Sequence, residues 1–320
     1  MIRDMKTLLL SFFILLSCSL AAQQEGHNTQ FMYNKLGYNP GFAGARESTT
    51  FTALVRSQWL GLDGAPQTQA LMANVPLMNQ RVGLGLNVTR FTIGITNSLT
   101  SELSYAYRFR LGRGHLGLGL QGSIRSYRMN FSDPRLTSTQ SMALDPSIPG
   151  SQQQKSLFNF GAGAYYEGER FYIGASTPRL LRNNLDFGSP DIEVTREIQH
   201  YYLMGGITIP LGEHVKLEPQ ALLKYVMGAP FDADFNLSLN FSDKYLVGAT
   251  YRMGGNSETG YGESIDILVA IHLSKKLLMG VSYDITLSDL KDFNTGSVEL
   301  VLRYSLREPE GAEVVNPRFF

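Results

Sequence analysis

Residues 39–68 read NPGFAGARESTTFTALVRSQWLGLDGAPQT and hold the chain's single tryptophan, Trp59. Phe51, Ala53 and Val55 fall on one parity and Thr52, Leu54, Arg56 and Gln58 on the other, the two-residue period of a strand. Trp59 continues the apolar row at the strand's end, where a membrane-spanning strand sets an amphipathic ring between hydrocarbon and head groups. A soluble hairpin with a core tryptophan fits this stretch equally well. The rest of the chain decides between them.

Downstream the alternation recurs almost to the end. Val82, Leu84, Leu86 and Val88 oppose Gly83, Gly85, Asn87 and Thr89; Leu103, Tyr105, Tyr107 and Phe109 oppose Glu102, Ser104, Arg108 and Arg110. Phe231, Phe235, Leu237, Leu239 and Phe241 stand against Asp232, Asp234, Asn236, Ser238 and Asn240. The series predicts about fourteen strands, many near the 9 to 11 residues that a tilted strand needs to cross a bilayer. Connections carry a second signal. Tight ones such as GRG, EGE, SDK and SKK alternate with longer ones, among them LGLDGA, FTIGIT, the stretch through Asp145 and the segment from Pro178 to Ile198. A soluble sandwich has no reason to sort its loops by end. The expected fold is all-β: a transmembrane antiparallel β-barrel with short periplasmic turns, longer extracellular loops and both termini in the periplasm.

Composition agrees. Of 320 residues, 32 are glycine, 16 tyrosine and 18 phenylalanine, and only 18% are charged. Lys plus Arg equals Asp plus Glu at 28 each, which gives no reason to expect nucleic acid as a partner. The mean hydropathy of -0.10 suits a barrel in which every second strand residue faces water. No run of 18 apolar residues follows the N-terminus, so a membrane would be crossed by closed strands.

Arg3 and Lys6, the apolar run Leu8 to Leu16, and Ser19-Leu20-Ala21-Ala22 read as a secretory signal, with Gln23 as the first mature residue and the Sec pathway as the route. Leu15-Leu16-Ser17-Cys18 is a rival lipoprotein signal in which the sole cysteine would be acylated. The expected divisions are 1–22 signal peptide, 23–46 polar lead-in in the lumen or periplasm, 47–306 barrel, and 307–320 periplasmic tail.

Chemistry-bearing motifs are sparse. The five histidines lie in no G-x-S-x-G or H-E-x-x-H pattern. His272, with Asp266 and Ser264 on the same parity, is the nearest to a triad, and a lumen-facing polar residue is the plainer reading. Glycines around Gly112 to Gly122 alternate with leucines, which marks a strand beside a crowded interior and not a phosphate loop. Asp232, Asp234 and Asn236 lack the glycine and distal glutamate of a calcium loop. No catalytic residue, cofactor or metal is expected. The inward parities carry Arg56, Arg108, Lys224, Arg252 and Arg303 against Glu102, Glu218, Asp234, Asp266, Asp284 and Glu299. A mixed lining suggests cross-strand pairs, with the lead-in as a plug, more than an ion-selective pore.

Three further pieces stand out: Gln30-Phe31-Met32-Tyr33-Asn34 with Asn39-Pro40-Gly41-Phe42-Ala43-Gly44; Arg56-Ser57-Gln58-Trp59-Leu60-Gly61 with Gly64-Ala65-Pro66-Gln67-Thr68; and Asn316-Pro317-Arg318-Phe319-Phe320. Together they resemble the PorP/SprF family of outer-membrane proteins of the type IX secretion and gliding apparatus of Bacteroidota. Gly41 stands where alanine is commoner. The resemblance implies a non-enzymatic outer-membrane barrel that exports or holds secreted cargo bearing a type B C-terminal signal, with a periplasmic lipoprotein as partner. The alternatives are a passive porin or small hydrophobic-solute channel and, with less support, a barrel lipase.

The motif residues suggest a site. Pro66 lacks an amide donor, and Gly61 and Gly64 permit unusual backbone angles, so the corner after the first strand reads as rigid. Arg56 and Gln58 share the inward parity of the first strand, and a rigid corner beside a buried Arg56 would clamp Asn39 to Gly44 of the lead-in against the wall. Equally open is the reading in which Trp59 is a girdle residue and Arg56 one lumen charge among several.

Overall fold

Strict two-residue alternation lets one face of every strand be apolar and the other polar, and the chain uses this to close a sheet on itself. The computed structural model describes residues 26–135, 152–185, 196–254 and 262–307. The expected signal peptide with Cys18, the loop centres near Asp145 and Ser189, and the closing Pro317, Arg318 and Phe319 lie outside these.

Fourteen strands follow in chain order: β1 Thr50–Ser57, β2 Gln67–Leu77, β3 Val82–Ile93, β4 Thr96–Leu111, β5 Gly114–Asn130, β6 Gln152–Glu167, β7 Phe171–Thr177, β8 His200–Ile207 (resuming at Ile209–Pro210), β9 Val215–Val226, β10 Asp232–Phe241, β11 Tyr245–Met253, β12 Ser264–His272, β13 Leu277–Thr286 and β14 Ser297–Ser305. Each pairs antiparallel with the next, and β14 returns to β1 in register from Thr50↔Ser305 to Ser57↔Val298, so no edge is left open. Along β12, Ser264, Asp266, Leu268 and Ala270 are buried while Ile265, Ile267 and Val269 are exposed. The same inversion, polar inside and apolar outside, runs round the barrel, an exterior suited to lipid.

One end of the barrel carries only short turns, residues 78–81, 112–113, 168–170, 211–214, 242–244 and 273–276. At the other end lie 58–66, 131–151, 178–199, 227–231, 254–263 and 287–296, with one exception to the expected sorting. FTIGIT is not a loop. β3 runs on through Ile93 and β4 starts at Thr96, leaving Gly94-Ile95 as a two-residue turn with Gly94 at φ 53°. The β-branched residues on both sides favour strand, and a positive-φ glycine is what a tight hairpin needs.

Residues 26–49 run inside the lumen. A Cβ on Gly26 would lie 3.2 Å from the Phe91 ring and from the Thr68 hydroxyl, near the long-loop end. The segment passes through short turns of helix at Phe31–Tyr33, Lys35–Tyr38 and Pro40–Phe42 and reaches the short-turn end, where Gly44 meets Gly83 and the chain enters β1. The described chain therefore starts near the long-loop end and, after β14, ends at the short-turn end; the termini themselves lie outside the described residues. Phe31, Met32, Leu36, Tyr38 and Phe42 are buried. With the barrel exterior given to lipid, the lumen is where these side chains leave water.

Candidate functional site

The site is the joint between this lumenal segment and the barrel wall. Its first half is held by charge. The Glu299 carboxylate accepts the backbone N–H groups of Thr29 (2.9 Å) and Gln30 (2.8 Å). Arg56 donates through Nη1 to the Thr29 hydroxyl at 2.7 Å and through Nη2 to Asp284 at 2.6 Å, and that hydroxyl donates to Asp284 at 2.8 Å. Arg56 and Glu299 are essentially fully buried, at 1% and 0% exposure. A buried guanidinium held between two carboxylates is a geometry in which charged groups are tolerated out of water.

The network continues across the lumen. Arg252 pairs with Asp234 at 2.8 Å and lies 3.6 Å from Asp266; Lys224 reaches Asp234 at 2.8 Å, Asp232 at 3.2 Å and His27 Nδ1 at 2.9 Å. The same His27 nitrogen lies 3.3 Å from Asp232, which places the ring between that carboxylate and the lysine.

The second half is held by shape. Asn39 donates to the carbonyls of Ala164 on β6 (2.9 Å) and Ala175 on β7 (3.4 Å), and its Oδ1 accepts the Gly41 N–H at 2.8 Å, capping the turn. Wall glycines make room for it. A Cβ on Gly119 would stand 2.3 Å from the Pro40 carbonyl carbon, one on Gly163 2.2 Å from Asn39 Oδ1, and one on Gly83 2.1 Å from the Ala43 carbonyl oxygen. Gly44, at φ 70°, gives its N–H to Asn74 Oδ1 at 2.7 Å. The Phe42 ring meets Tyr165 edge-on at 5.1 Å, and Lys35 Nζ sits 3.2 Å over the Tyr172 ring. The glycine–leucine alternation thus places backbone against backbone inside and leucine against lipid outside.

The corner after β1 is separate from both grips. β1 ends at Ser57, so its parity does not extend to Trp59, which takes φ 48° and donates its N–H to Ser297 Oγ at 3.1 Å. The Gln58 N–H bonds to Pro66 O (3.0 Å) and the Leu60 N–H to Gly296 O (2.8 Å), while Gly64 O accepts from the Gly94 N–H (2.8 Å). Gly61 and Gly64 have φ of 95° and 73°. The corner therefore ties the first hairpin to its two neighbours at the long-loop end, about a cavity of ≈ 490 Å³ lined by Trp59, Gly61 and Gly64.

Arg56 bonds to the lumenal segment at Thr29, and Glu299 holds Gln30; Asn39, Pro40 and Gly44 rest instead on the β2, β3, β5, β6 and β7 wall. The sequence reading missed a third contact. Residues 178–185 and 196–199 of the β7–β8 connection contribute to the lumen wall: Glu197 accepts from Asn159 (2.9 Å) and Asn183 (2.8 Å) and lies 3.3 Å from Arg125, and Arg179 is 3.4 Å from Glu102. Its one signal is Asn159, Arg125 and Glu102 on inward parity with a charged loop to meet them.

Ser264, Asp266 and His272 do not converge, being two and six residues apart along one strand, where each residue rises about 3.3 Å. Asp232 and Asp234 are occupied by Lys224 and Arg252, and no cluster suited to a metal occurs among the described residues.

A family model described as type IX secretion system membrane protein PorP/SprF matches residues 20–304. The chain belongs to that family. PorP/SprF proteins are membrane proteins of a secretion system, not a family of enzymes. Among solved structures, this PorP/SprF chain is similar to the toluene transporter TbuX of Ralstonia pickettii, with 10% identity, a TM-score of 0.50, and coverage of 84% of this chain and 92% of that one. It is also similar to Omp33 of Acinetobacter baumannii (9% identity, TM-score 0.49, 82% and 99% covered) and to a FadL homologue of Pseudomonas aeruginosa (12%, 0.44, 84% and 93%). At such identities the likeness concerns fold alone. With the family, the closed barrel and its apolar exterior, the protein is an outer-membrane β-barrel. A search of curated proteins finds no relative of this chain.

Proposed function

We propose that this barrel exports a specific secreted cargo, or anchors it at the cell surface, recognising a type B C-terminal signal and working with a periplasmic lipoprotein of the type IX system. In this reading its short turns face the periplasm and its longer loops the exterior, and export by the Sec pathway precedes insertion. The observation that carries it is the filled lumen. A passive porin needs a continuous water path, whereas here a segment with seven buried apolar side chains and a buried Arg56–Asp284–Glu299 joint occupies the channel. A filled barrel suits a docking and gating part of a secretion machine better than a diffusion channel.

Isolation of the tagged protein from its native outer membrane, followed by mass spectrometry, is expected to recover a secreted protein with such a C-terminal signal together with a lipoprotein. Deletion of the gene should remove that cargo from the cell surface. Liposome swelling by the purified wild-type barrel at porin-like rates, with cargo localisation unchanged on deletion, would establish the channel reading instead.

A further inference from the structure

At the short-turn end the lumen opens into a cavity of ≈ 530 Å³ that no contact described so far explains. Its charged lining is Arg46, Arg108, Arg113 and Arg303 against Glu47, Glu167 and Glu169. The arginines are poorly matched. Arg108 is 3% exposed, its nearest carboxylate is Glu167 at 3.7 Å, and its Nε and Nη1 are buried with no acceptor among the described residues. Arg46 and Arg303 lie over the rings of Phe42 and Tyr33, at 5.5 and 5.3 Å, and have no carboxylate within 4 Å among the described residues. Two buried guanidinium donors with no acceptor leave positive charge uncompensated, which favours an anionic occupant such as a carboxylate.

Next to this cavity the chain leaves the barrel. Ser305 and Ser48 line it, the Leu306 N–H donates to Thr49 O at 2.9 Å, and the Ser48 hydroxyl is 3.5 Å from Arg307 O. The residues that follow, outside those described, read EPEGAE, with Glu308, Glu310 and Glu313 and no basic residue before Arg318. At about 3.3–3.6 Å per extended residue, Glu308 and Glu310 are within roughly 10 Å of Arg307. We propose that this cavity is a carboxylate-binding site and that its occupant is the chain's own segment 308–313, whose glutamates pair with Arg108, Arg46 and Arg303. The arginines face the lumen and not the lipid, which favours a peptide over a lipid head group.

The test uses the full chain in detergent with a photo-crosslinking residue at Ala312, read by mass spectrometry. Crosslinks are expected to residues 45–50, 113–115 or 167–169, and to fall several-fold in the E308Q/E310Q/E313Q variant while the barrel's heat-modifiable gel mobility is unchanged. Adding the free peptide EPEGAE in excess should compete in the wild type. Crosslinks that land elsewhere, or that ignore both the triple substitution and the peptide, would overturn the proposal. So would a crosslinker at Ser48 that captures an acidic segment of another polypeptide in place of residues 308–313.

Discussion

The two halves of the lumenal segment are held by opposite means. Residues 27–30 meet a wall of carboxylates and cations through short, directional bonds, whereas residues 39–44 lie backbone to backbone against Gly83, Gly117, Gly119 and Gly163. A charge grip is all or nothing, because removing one partner leaves another buried and unpaired. A shape grip depends on volume, and is lost when a side chain fills the groove. A gate needs an element that releases and one that stays, and these two grips differ in that respect.

The largest effect is expected at Arg56. Arg56→Ala leaves Glu299 without a paired cation among the described residues and Asp284 with only Arg252 at 3.8 Å, and breaking a buried pair costs about 3–5 kcal/mol. The sheet does not need this arginine for its ladder, so the loss should appear as release of residues 27–30, read as increased conductance in planar bilayers and earlier thermal unfolding. Replacing the set together, Arg56→Met with Asp284→Asn and Glu299→Gln, should recover much of that loss. A triple variant as impaired as Arg56→Ala would break the contrast between charge and shape.

At the glycine wall, Gly119→Val inserts atoms where a Cβ alone would come 2.3 Å from Pro40, and overpacking of this kind costs about 1–3 kcal/mol. Leu120→Val, one residue on and facing lipid, is the control and should change little. Equal effects on denaturant midpoint and conductance would mean that the groove is not specific for the segment. Smaller again is Asn39→Ala. It removes the bonds to Ala164, Ala175 and Gly41, at about 1–2 kcal/mol, and should raise hydrogen exchange at residues 39–44 while leaving 27–30 protected.

Parity made the barrel legible. It placed Arg56, Asp284 and Glu299 inward and Phe51 and Val55 outward before any pairing was known. What parity cannot supply is which inward residues meet. Thr29 and Glu299 are 270 positions apart and touch because β14 closes on β1 while the lead-in re-enters the lumen, a result of register and closure that no local window contains. The glycine rows were visible as strands beside a crowded interior, but the occupant of that interior was not. Trp59 lies two residues past the end of β1 at φ 48°, where strand parity no longer fixes which way its ring faces.

The smallest predicted effect lies at the long-loop end, where an ion pair of the same residue types is partly exposed, Arg135 at 42% and Asp133 at 15%, and so shows what fuller burial adds at Arg56. Arg135 donates through Nε to Asp133 Oδ1 at 2.9 Å and through Nη2 to Oδ2 at 2.8 Å, its N–H reaches Oδ1 at 3.0 Å, and Nη2 also meets Gly94 O at 3.1 Å. Hydrogen bonds from the Arg135 side chain, then from its backbone, lower the Asp133 carboxyl to about 2. Because the pKa is depressed on folding, the contact's contribution is present above the unfolded value of about 3.9 and is lost as pH falls through the lower one. A carboxyl carbon titration of Asp133 by NMR in nanodiscs should show a midpoint near 2 in the wild type, moving toward 3.9 in Arg135→Gln. Barrel unfolding should be unaffected in that variant, since solvent screens an exposed pair and no charge is left stranded out of water. A wild-type midpoint near 4 would remove the contact, while a large loss of barrel stability in Arg135→Gln would show that burial is not what separates this pair from Arg56.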